Sequence, residues 1–432
     1  MSTATARIGR EVEWLPPLQR GWKMRPLWSM FERIKDVDHP DEQMLSVFRD
    51  YGVVAKDSRD NLNQTAENRS IYQLVHPGWL VTNRMKAWQG SVGISSLRGI
   101  VSGHYICFAP RHHEDPRYLN WLFRSPPYTY AYALLSRGVR IGQVEIDNDE
   151  YRLLPVLLPP LDRQRAIAGY LDRETARIDM LIEEQQRLIE MLRERRQAAI
   201  ESAAGRGIDD AVPTKASGLS WVSEVPAHWT VANIRRFASM KTGHTPSRSN
   251  PDYWVDCTIP WFTLADVWQL RDGKRTYLGE TANRISTAGL ANSAAELLPA
   301  GTIVLSRTAS VGFSGVMPKP MATSQDFWNW VPGDRLDSIY LMWVFRAMQR
   351  EFRALMIGST HQTIYQPTAA AIRIPVPPLE EQRRIAAGLD EQTAKIDTLI
   401  AETEAFIELS RERRSALITA AVTGQINVRE VA

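Results

Sequence analysis

Two cysteines, Cys107 and Cys257, are all that the 432 residues contain. Two thiols do not make a disulfide framework, and such sparing use fits a reducing compartment. No run of about 18 apolar residues occurs, so no membrane-spanning helix is expected. The stretch Met1 to Arg10 is polar and lacks the apolar core of a signal peptide. A cytoplasmic protein is expected. Excess charge is also scarce: 52 Lys and Arg stand against 49 Asp and Glu, a net of +3. That balance is compatible with nucleic acid without arguing for it.

Catalytic signatures are missing as well. No Gly-x-x-x-x-Gly-Lys-Ser/Thr phosphate loop is present, which argues against an ATP-driven motor. Asn250-Pro251-Asp252-Tyr253 faintly resembles the Asn-Pro-Pro-Tyr motif of amino-methyltransferases. It lacks the second proline and has no Phe-x-Gly-x-Gly loop nearby. Pro251-Asp252 with Asp272-Gly273-Lys274 is a poor match to a carboxylate-and-lysine nuclease site. His112-His113-Glu114-Asp115 holds metal-ligating types, but neighbours on one loop rarely close around an ion, and a solvated turn is expected. No catalytic residue and no metal ligand is assigned.

What the chain does have is a repeat. Pro159-Pro160-Leu161-Asp162-Arg163-Gln164-Arg165-Ala166-Ile167 returns as Pro377-Pro378-Leu379-Glu380-Glu381-Gln382-Arg383-Arg384-Ile385, offset by 218 residues (377 minus 159). Proline before a first helical turn is well tolerated, and Asp162 suits the positive end of the helix dipole. A heptad register follows at Leu171, Thr175, Ile178, Ile182, Gln185, Ile189, Leu192, Arg196, Ala199 and Ala203. The same offset gives Leu389, Thr393, Ile396, Ile400, Thr403, Ile407, Ser410, Arg414, Leu417 and Ala421. The spacing predicts one helix over about 161–203, stopping near Gly205-Arg206-Gly207, and another over about 379–422, ending at Thr423-Gly424.

The globular stretches are mixed. Gly78 to Thr82 and Tyr105 to Phe108 read as strands, and Pro116 to Ser125 as a helix. Tyr118-Leu119-Asn120-Trp121-Leu122-Phe123-Arg124 aligns with Tyr340-Leu341-Met342-Trp343-Val344-Phe345-Arg346. The expected fold class is α+β: two globular domains joined by two long helices that pair as an antiparallel coiled-coil spacer, a pseudo-two-fold repeat. The expected boundaries are a lead at 1–14, domains at 15–160 and 207–378 (the latter including a linker), and helices at 161–206 and 379–432, the last with its tail. The apolar seam would be carried by Leu171, Ile178, Ile182, Ile189, Leu192, Leu389, Ile396, Ile400, Ile407 and Leu417. A helix of about 43 residues spans roughly 60–65 Å, so unlike heads at its two ends would read a non-palindromic site on duplex DNA.

Over nearly its whole length the chain resembles the DNA-specificity subunit of type I restriction–modification systems. Three sets of residues carry the resemblance. The first is each Pro-Pro-Leu-x-x-Gln-x-x-Ile opening, with Ile178-Asp179 and Ile396-Asp397 beyond it. The second is Gly243-His244-Thr245-Pro246-Ser247 with Tyr253-Trp254 and Ile259-Pro260-Trp261; His244 stands where the family pattern commonly has a glycine. The third is Asn83 to Gly93 with Gly99-Ile100-Val101-Ser102. The resemblance implies a non-catalytic subunit of two different target-recognition domains. It implies double-stranded DNA, two modification (methyltransferase) subunits and further restriction subunits, an ATP-dependent translocase and nuclease, as partners. S-adenosylmethionine, ATP and magnesium would belong to those partners and none to this chain. Side chains that donate to bases or phosphates are Asn83, Arg84, Lys86, Gln89 and Arg98 in the first domain, with Trp88 as a stacking group. In the second they are Lys241, Thr245, Ser247, Arg248, Arg307 and Thr308. Two other readings stay open on the residues alone: a tandem coiled-coil adaptor without DNA binding, and an autonomous nuclease or methyltransferase.

Overall fold

The two long helices run Leu161–Arg206 and Leu379–Val422. The second matches the expected range, and the first ends at the expected boundary of 206, three residues past its last heptad position at Ala203. Both are followed by a glycine in the left-handed region, Gly207 (φ +82°) and Gly424 (φ +74°), a conformation that ends a helix cheaply only without a Cβ. The computed structural model describes residues 14–58, 69–138, 144–209, 211–308, 310–355 and 363–431. The expected lead at 1–14 lies, up to residue 13, outside them. The chain forms two compact units, Met1–Gln185 with Phe406–Ala432, and Gln186–Ala405. Each holds one α+β globular part and a segment of both long helices.

In the first unit a four-stranded antiparallel sheet has the order Phe31–Ile34, Tyr105–Pro110, Leu80–Asn83, Val92–Ile94. The expected strand at Gly78–Thr82 is thus shifted by about two residues, because Pro77-Gly78 makes the entering turn. Helix Pro116–Phe123 follows, capped by Asp115, whose carboxylate accepts from the Arg117 and Tyr118 amides. Strand Lys23–Pro26 pairs antiparallel with Pro155–Leu158, so the unit closes immediately before its long helix. In the second unit the order is Ala238–Thr242, Phe327–Pro332, Ile303–Ser306, Ser314–Val316, again antiparallel. Thr230–Asn233 pairs with Arg373–Val376 and closes that unit the same way.

The opening motif of each long helix is the joint of its unit. The Gln164 side chain is fully buried. Its oxygen accepts from the Asp115 amide at 2.9 Å, and its nitrogen donates to Glu114 at 2.6 Å and to the Pro159 carbonyl at 2.8 Å. Gln382 repeats this with the Asp337 amide at 2.8 Å and the carbonyls of Arg335 at 3.0 Å and Pro377 at 2.8 Å. One residue type, whose amide both accepts and donates, ties the cap of the globular helix to the first turn of the long one. The Tyr118 hydroxyl donates to the carbonyls of Leu157 and Val422, as Tyr340 does to Pro375 and Ala204. Trp121 donates to Asp172 at 2.8 Å and Trp343 to Asp390 at 3.0 Å.

Packing follows the same plan. Ile167, Ala168, Leu171, Ile418, Ala421 and Val422 join the first unit's core around Tyr118, Phe123 and Tyr132. Ile200, Ala203, Ala204, Ile385 and Leu389 join the second around Trp229, Trp330 and Trp343. Each fully buried Leu or Ile contributes about 1.5–3 kcal/mol. Among the seam residues Leu171, Ile178, Ile189, Leu192, Leu389, Ile396, Ile400 and Ile407 are buried and Ile182 is half-buried. Near both helix ends burial slips by one position: Ile200 and Ile418 are buried where Ala199 and Leu417 are only half-buried. There the helix packs on a globular core, so the period relaxes from the 3.5 of a coiled coil.

The helix segments are antiparallel within each unit. In the second, Arg196 meets Asp397 at 3.0 Å and Arg193 meets Glu404 at 3.3 Å. In the first, Arg414 meets Asp179 at 2.8 Å. Arg414 is Arg196 plus 218, and Asp397 is Asp179 plus 218, so the two pairs are copies. The expectation that the Arg-Glu-Arg-Arg runs are simply solvated faces fails at Arg196 and Arg414, both drawn inward by the aspartate of an Ile-Asp pair.

Replacing Gln382 with alanine leaves the Asp337 amide and two carbonyls buried without partners. A loss of about 1–3 kcal/mol of unfolding free energy is expected, measured by urea denaturation of the full chain. An unchanged midpoint would contradict the role given to this side chain.

Candidate nucleic-acid interface

In the first unit Asn83 ends a strand and turns the chain. Its side-chain oxygen accepts from the amides of Met85 at 3.1 Å and Lys86 at 3.2 Å. This Asx-type turn leads into the short 3₁₀ turn Ala87–Gln89. Trp88 is half-buried and donates to the Met85 carbonyl at 3.1 Å, bracing the turn from within. Arg84, Lys86 and Gln89 are exposed on the same turn. Arg84 is held by Glu145 at 2.6 Å. Lys86 has no ion pair among the described residues. Arg98 does not join this group. It lies past the far end of the paired strands Leu80–Asn83 and Val92–Ile94, held by Glu42 at 2.7 Å and against His76 at 3.1 Å.

In the second unit the sheet order does the gathering. Ala238–Thr242 and Ile303–Ser306 both run antiparallel to Phe327–Pro332, on its two sides. Their following loops therefore leave from one end of the sheet, where the central strand begins. Thr245 donates to Gln325 at 2.6 Å, and the Arg307 amide donates to the Asp326 carbonyl at 3.0 Å. Both loops are thus pinned to one turn. Gly243 is demanded by closeness: a Cβ there would stand 2.1 Å from the Thr323 carbonyl oxygen. His244 donates its amide to that oxygen at 3.1 Å and does not adopt a left-handed backbone, so a histidine is accommodated. Ser247 bonds Ser249 at 2.8 Å and, through its carbonyl, Trp254 at 3.1 Å. Arg248 is exposed, without an ion pair among the described residues. Thr308 meets Thr363 at 3.4 Å. Lys241 is one residue back inside its strand and pairs with Glu296 at 2.8 Å.

Arg307 is the best-fixed cation of this group. Its guanidinium sits 4.3 Å from the centre of the Trp328 ring. Partial burial lowers its pKa from the usual arginine value, opposed by the nearby Asp326 charge. A guanidinium already packed over an indole has little further side-chain freedom to lose on binding. Sequence reasoning singled out Arg307 and missed its platform. Trp328 lies 21 residues away, and only strand register brings the two together.

The arrangement suits contact with a polyanion. Arg84, Arg98 and Lys241 each hold a carboxylate that a phosphate can replace. Among the described residues Lys86, Arg248 and Arg307 have no such pair to break. Surface pairs of this kind are weak, about 0–1 kcal/mol, so exchanging them for phosphate is not costly.

Residues 226–409 match the family model described as the type I restriction modification DNA specificity domain. The chain is 29% identical over 170 residues to the type I restriction enzyme MjaIX specificity subunit of Methanocaldococcus jannaschii, covering 39% of this chain and 38% of that protein. It is 21% identical over 318 residues to the putative MjaX specificity subunit of the same organism, covering 73% and 69%. To the EcoR124I/EcoR124II specificity subunit of Escherichia coli it is 27% identical over 164 residues, covering 36% and 38%. The chain therefore matches well under half the length of two of these relatives. Among solved structures, one chain from a study of complex assembly and conformational transition of the type I R-M system has a TM-score of 0.72 at 17% identity, covering 95% of this chain and 99% of that one. The HsdS subunit from Thermoanaerobacter tengcongensis has a TM-score of 0.57 at 17% identity, covering 95% and 98%. These likenesses establish the fold.

Among the described residues no group of three or more potential metal ligands converges. His112 Nδ1 accepts from the Glu114 amide at 3.1 Å, and its ring stands edge-on to Phe31 at 4.7 Å. Burial lowers its pKa from the usual histidine value, partly offset by Glu114. The folded pKa lies below the unfolded one, so the unfolded chain binds more protons in that window. The contribution to stability is present above about pH 6.5 and is lost as pH falls through the lowered pKa. Urea midpoints measured between about pH 7.5 and 5.5 should fall, and fall less in His112→Phe. An identical pH slope in the two proteins would refute the assignment.

Proposed function

We infer, from the kinship of this chain with the DNA specificity subunits of type I restriction–modification systems, that it reads a bipartite, asymmetric DNA target without catalysing a reaction itself. One globular part would meet each half of the target. The observation that carries this most directly is the pair of loops at one end of the second unit's sheet, with the Arg307 guanidinium over the Trp328 ring and Arg248 exposed beside Ser247. In the first unit the Asn83–Gln89 turn plays the corresponding part. The two turns share no motif, which supports two unlike half-sites. Phosphate contacts from exposed cations set position, and the few fixed donors read base edges.

Methyl transfer and ATP-driven cleavage belong, in this reading, to partner subunits that carry S-adenosylmethionine, ATP and magnesium. The helices support two modification subunits. Leu181, Phe406 and Leu409 are exposed in the first unit. Their copies by the 218 offset, Leu399, Leu188 and Met191, are exposed in the second. Each unit therefore presents one equivalent apolar set on its helix pair, the kind of surface that accepts a partner's helix.

Two measurements test this. Duplex binding by the full chain with its modification subunits should weaken with salt. Lys86→Ala, Arg248→Ala and Arg307→Ala should each reduce the log–log salt slope by about 1. Binding indifferent to salt would overturn the DNA reading. For the partners, a Leu188→Ser, Met191→Ser double variant should carry one modification subunit in place of two by native mass spectrometry. Retention of both would refute these surfaces.

A further inference from the structure

The two sheets share one corner that the 218 offset hides. Strands Leu80–Asn83 and Ile303–Ser306 hold the same place in the same sheet order, and each is followed by an arginine, Arg84 and Arg307. These stand 223 residues apart (307 minus 84), off the repeat's own offset. The Arg84 amide donates to the His104 carbonyl at 3.0 Å, and its carbonyl accepts from the Ile146 amide at 3.1 Å. The Arg307 amide donates to the Asp326 carbonyl at 3.0 Å, and its carbonyl accepts from the Ile364 amide at 3.0 Å. His104 and Asp326 each directly precede the strand Tyr105–Pro110 or Phe327–Pro332. The two isoleucines are buried and lie 218 apart (364 minus 146). A residue bonded alike through both backbone groups in two otherwise unlike domains holds the same place in each.

What differs is how the side chain is held. In the first unit the residue before the isoleucine is Glu145, whose carboxylate lies 2.6 Å from Arg84 Nη2. In the second it is Thr363, whose hydroxyl meets that of Thr308 at 3.4 Å. Strand register places Ile106 opposite Thr82 and Trp328 opposite Leu305, each two residues before the arginine. The indole under Arg307 thus replaces an isoleucine of the first unit. Asp326, whose charge also acts on Arg307, accepts from the Ser324 hydroxyl at 2.8 Å. A ring contact leaves a cation's charge without a counter-ion. A carboxylate at ion-pair distance offsets that charge toward an approaching polyanion.

We propose that Arg84 and Arg307 are one DNA contact repeated in the two units, and that the residue before the clamping isoleucine sets its strength. Glu145 restrains Arg84, and Thr363 leaves Arg307 open to a phosphate. This rests on the DNA reading above and deepens it. Glu145 is a positioning residue that acts on DNA only through Arg84. On binding, Arg84 exchanges a carboxylate for a phosphate and gains only the difference, whereas Arg307 has no such exchange to make. Exchanging the two residues should therefore exchange the two behaviours.

Duplex binding by the full chain with its modification subunits, measured over a range of salt, tests this with reciprocal substitutions. Glu145→Thr is expected to tighten binding about two- to fivefold and to steepen the log–log salt slope by about 1. Thr363→Glu should weaken binding and flatten the slope by similar amounts. Each effect should vanish once its arginine is gone: Glu145→Thr in an Arg84→Ala chain, and Thr363→Glu in an Arg307→Ala chain. That dependence separates a pair with the arginine from the general effect of changing charge near DNA. An effect that persists without the arginine overturns the proposal. So does weaker binding by Glu145→Thr, or no change in either variant while the unaltered chain binds in a salt-dependent way. Binding by the unaltered chain that ignores salt removes the DNA reading and this proposal with it.

Discussion

A single amide side chain, used twice, holds each unit to its helices. Gln164 and Gln382 are fully buried, and each serves both the backbone of a capped globular helix and the carbonyl just before a long one. No other uncharged side chain of that length both accepts and donates at one planar group. A carboxylate would bring a buried charge, and an aliphatic group would strand three polar partners. The tyrosine hydroxyl and the tryptophan nitrogen beside it add directional bonds from the same short helix. The globular part therefore cannot rotate about its long helix without breaking several buried bonds together, and such networks are costly to satisfy only in part.

Around that joint the two units diverge in nearly everything that would face DNA. The first presents a turn made by an asparagine; the second presents two loops gathered by strand order and pinned to one turn. The conserved mechanics and the varied surface are thus separated by residue: glutamine, aspartate, tyrosine and tryptophan recur at fixed offsets, while the exposed donors do not. An internal repeat of this kind lets a recognition surface change without disturbing what anchors it.

Much of this was legible in the sequence, because a repeat is its own control. The helix ranges, the seam and the α+β class followed from periodicity and the 218 offset. The Ile-Asp and Arg-Glu-Arg-Arg pieces were visible, but their pairing was not, since an antiparallel contact joins residues about 200 positions apart. The same limit hid Trp328 from Arg307 and Glu145 from Arg84. Arg98 looked like a neighbour of Lys86 in sequence and proved to be at the other end of a strand pair, because antiparallel strands carry near residues to opposite ends.

The division of the chain between its units also orders its making. The second unit is one continuous stretch, residues 186–405, whereas the core of the first needs Ile418, Ala421 and Val422 from the last helical turns. On a ribosome the sheet of the first unit emerges before Ile418, Ala421 and Val422, whereas residues 186–405 follow one another without interruption. The early sheet and its aromatic helix face solvent over that interval, the condition under which unfinished domains meet chaperones or one another.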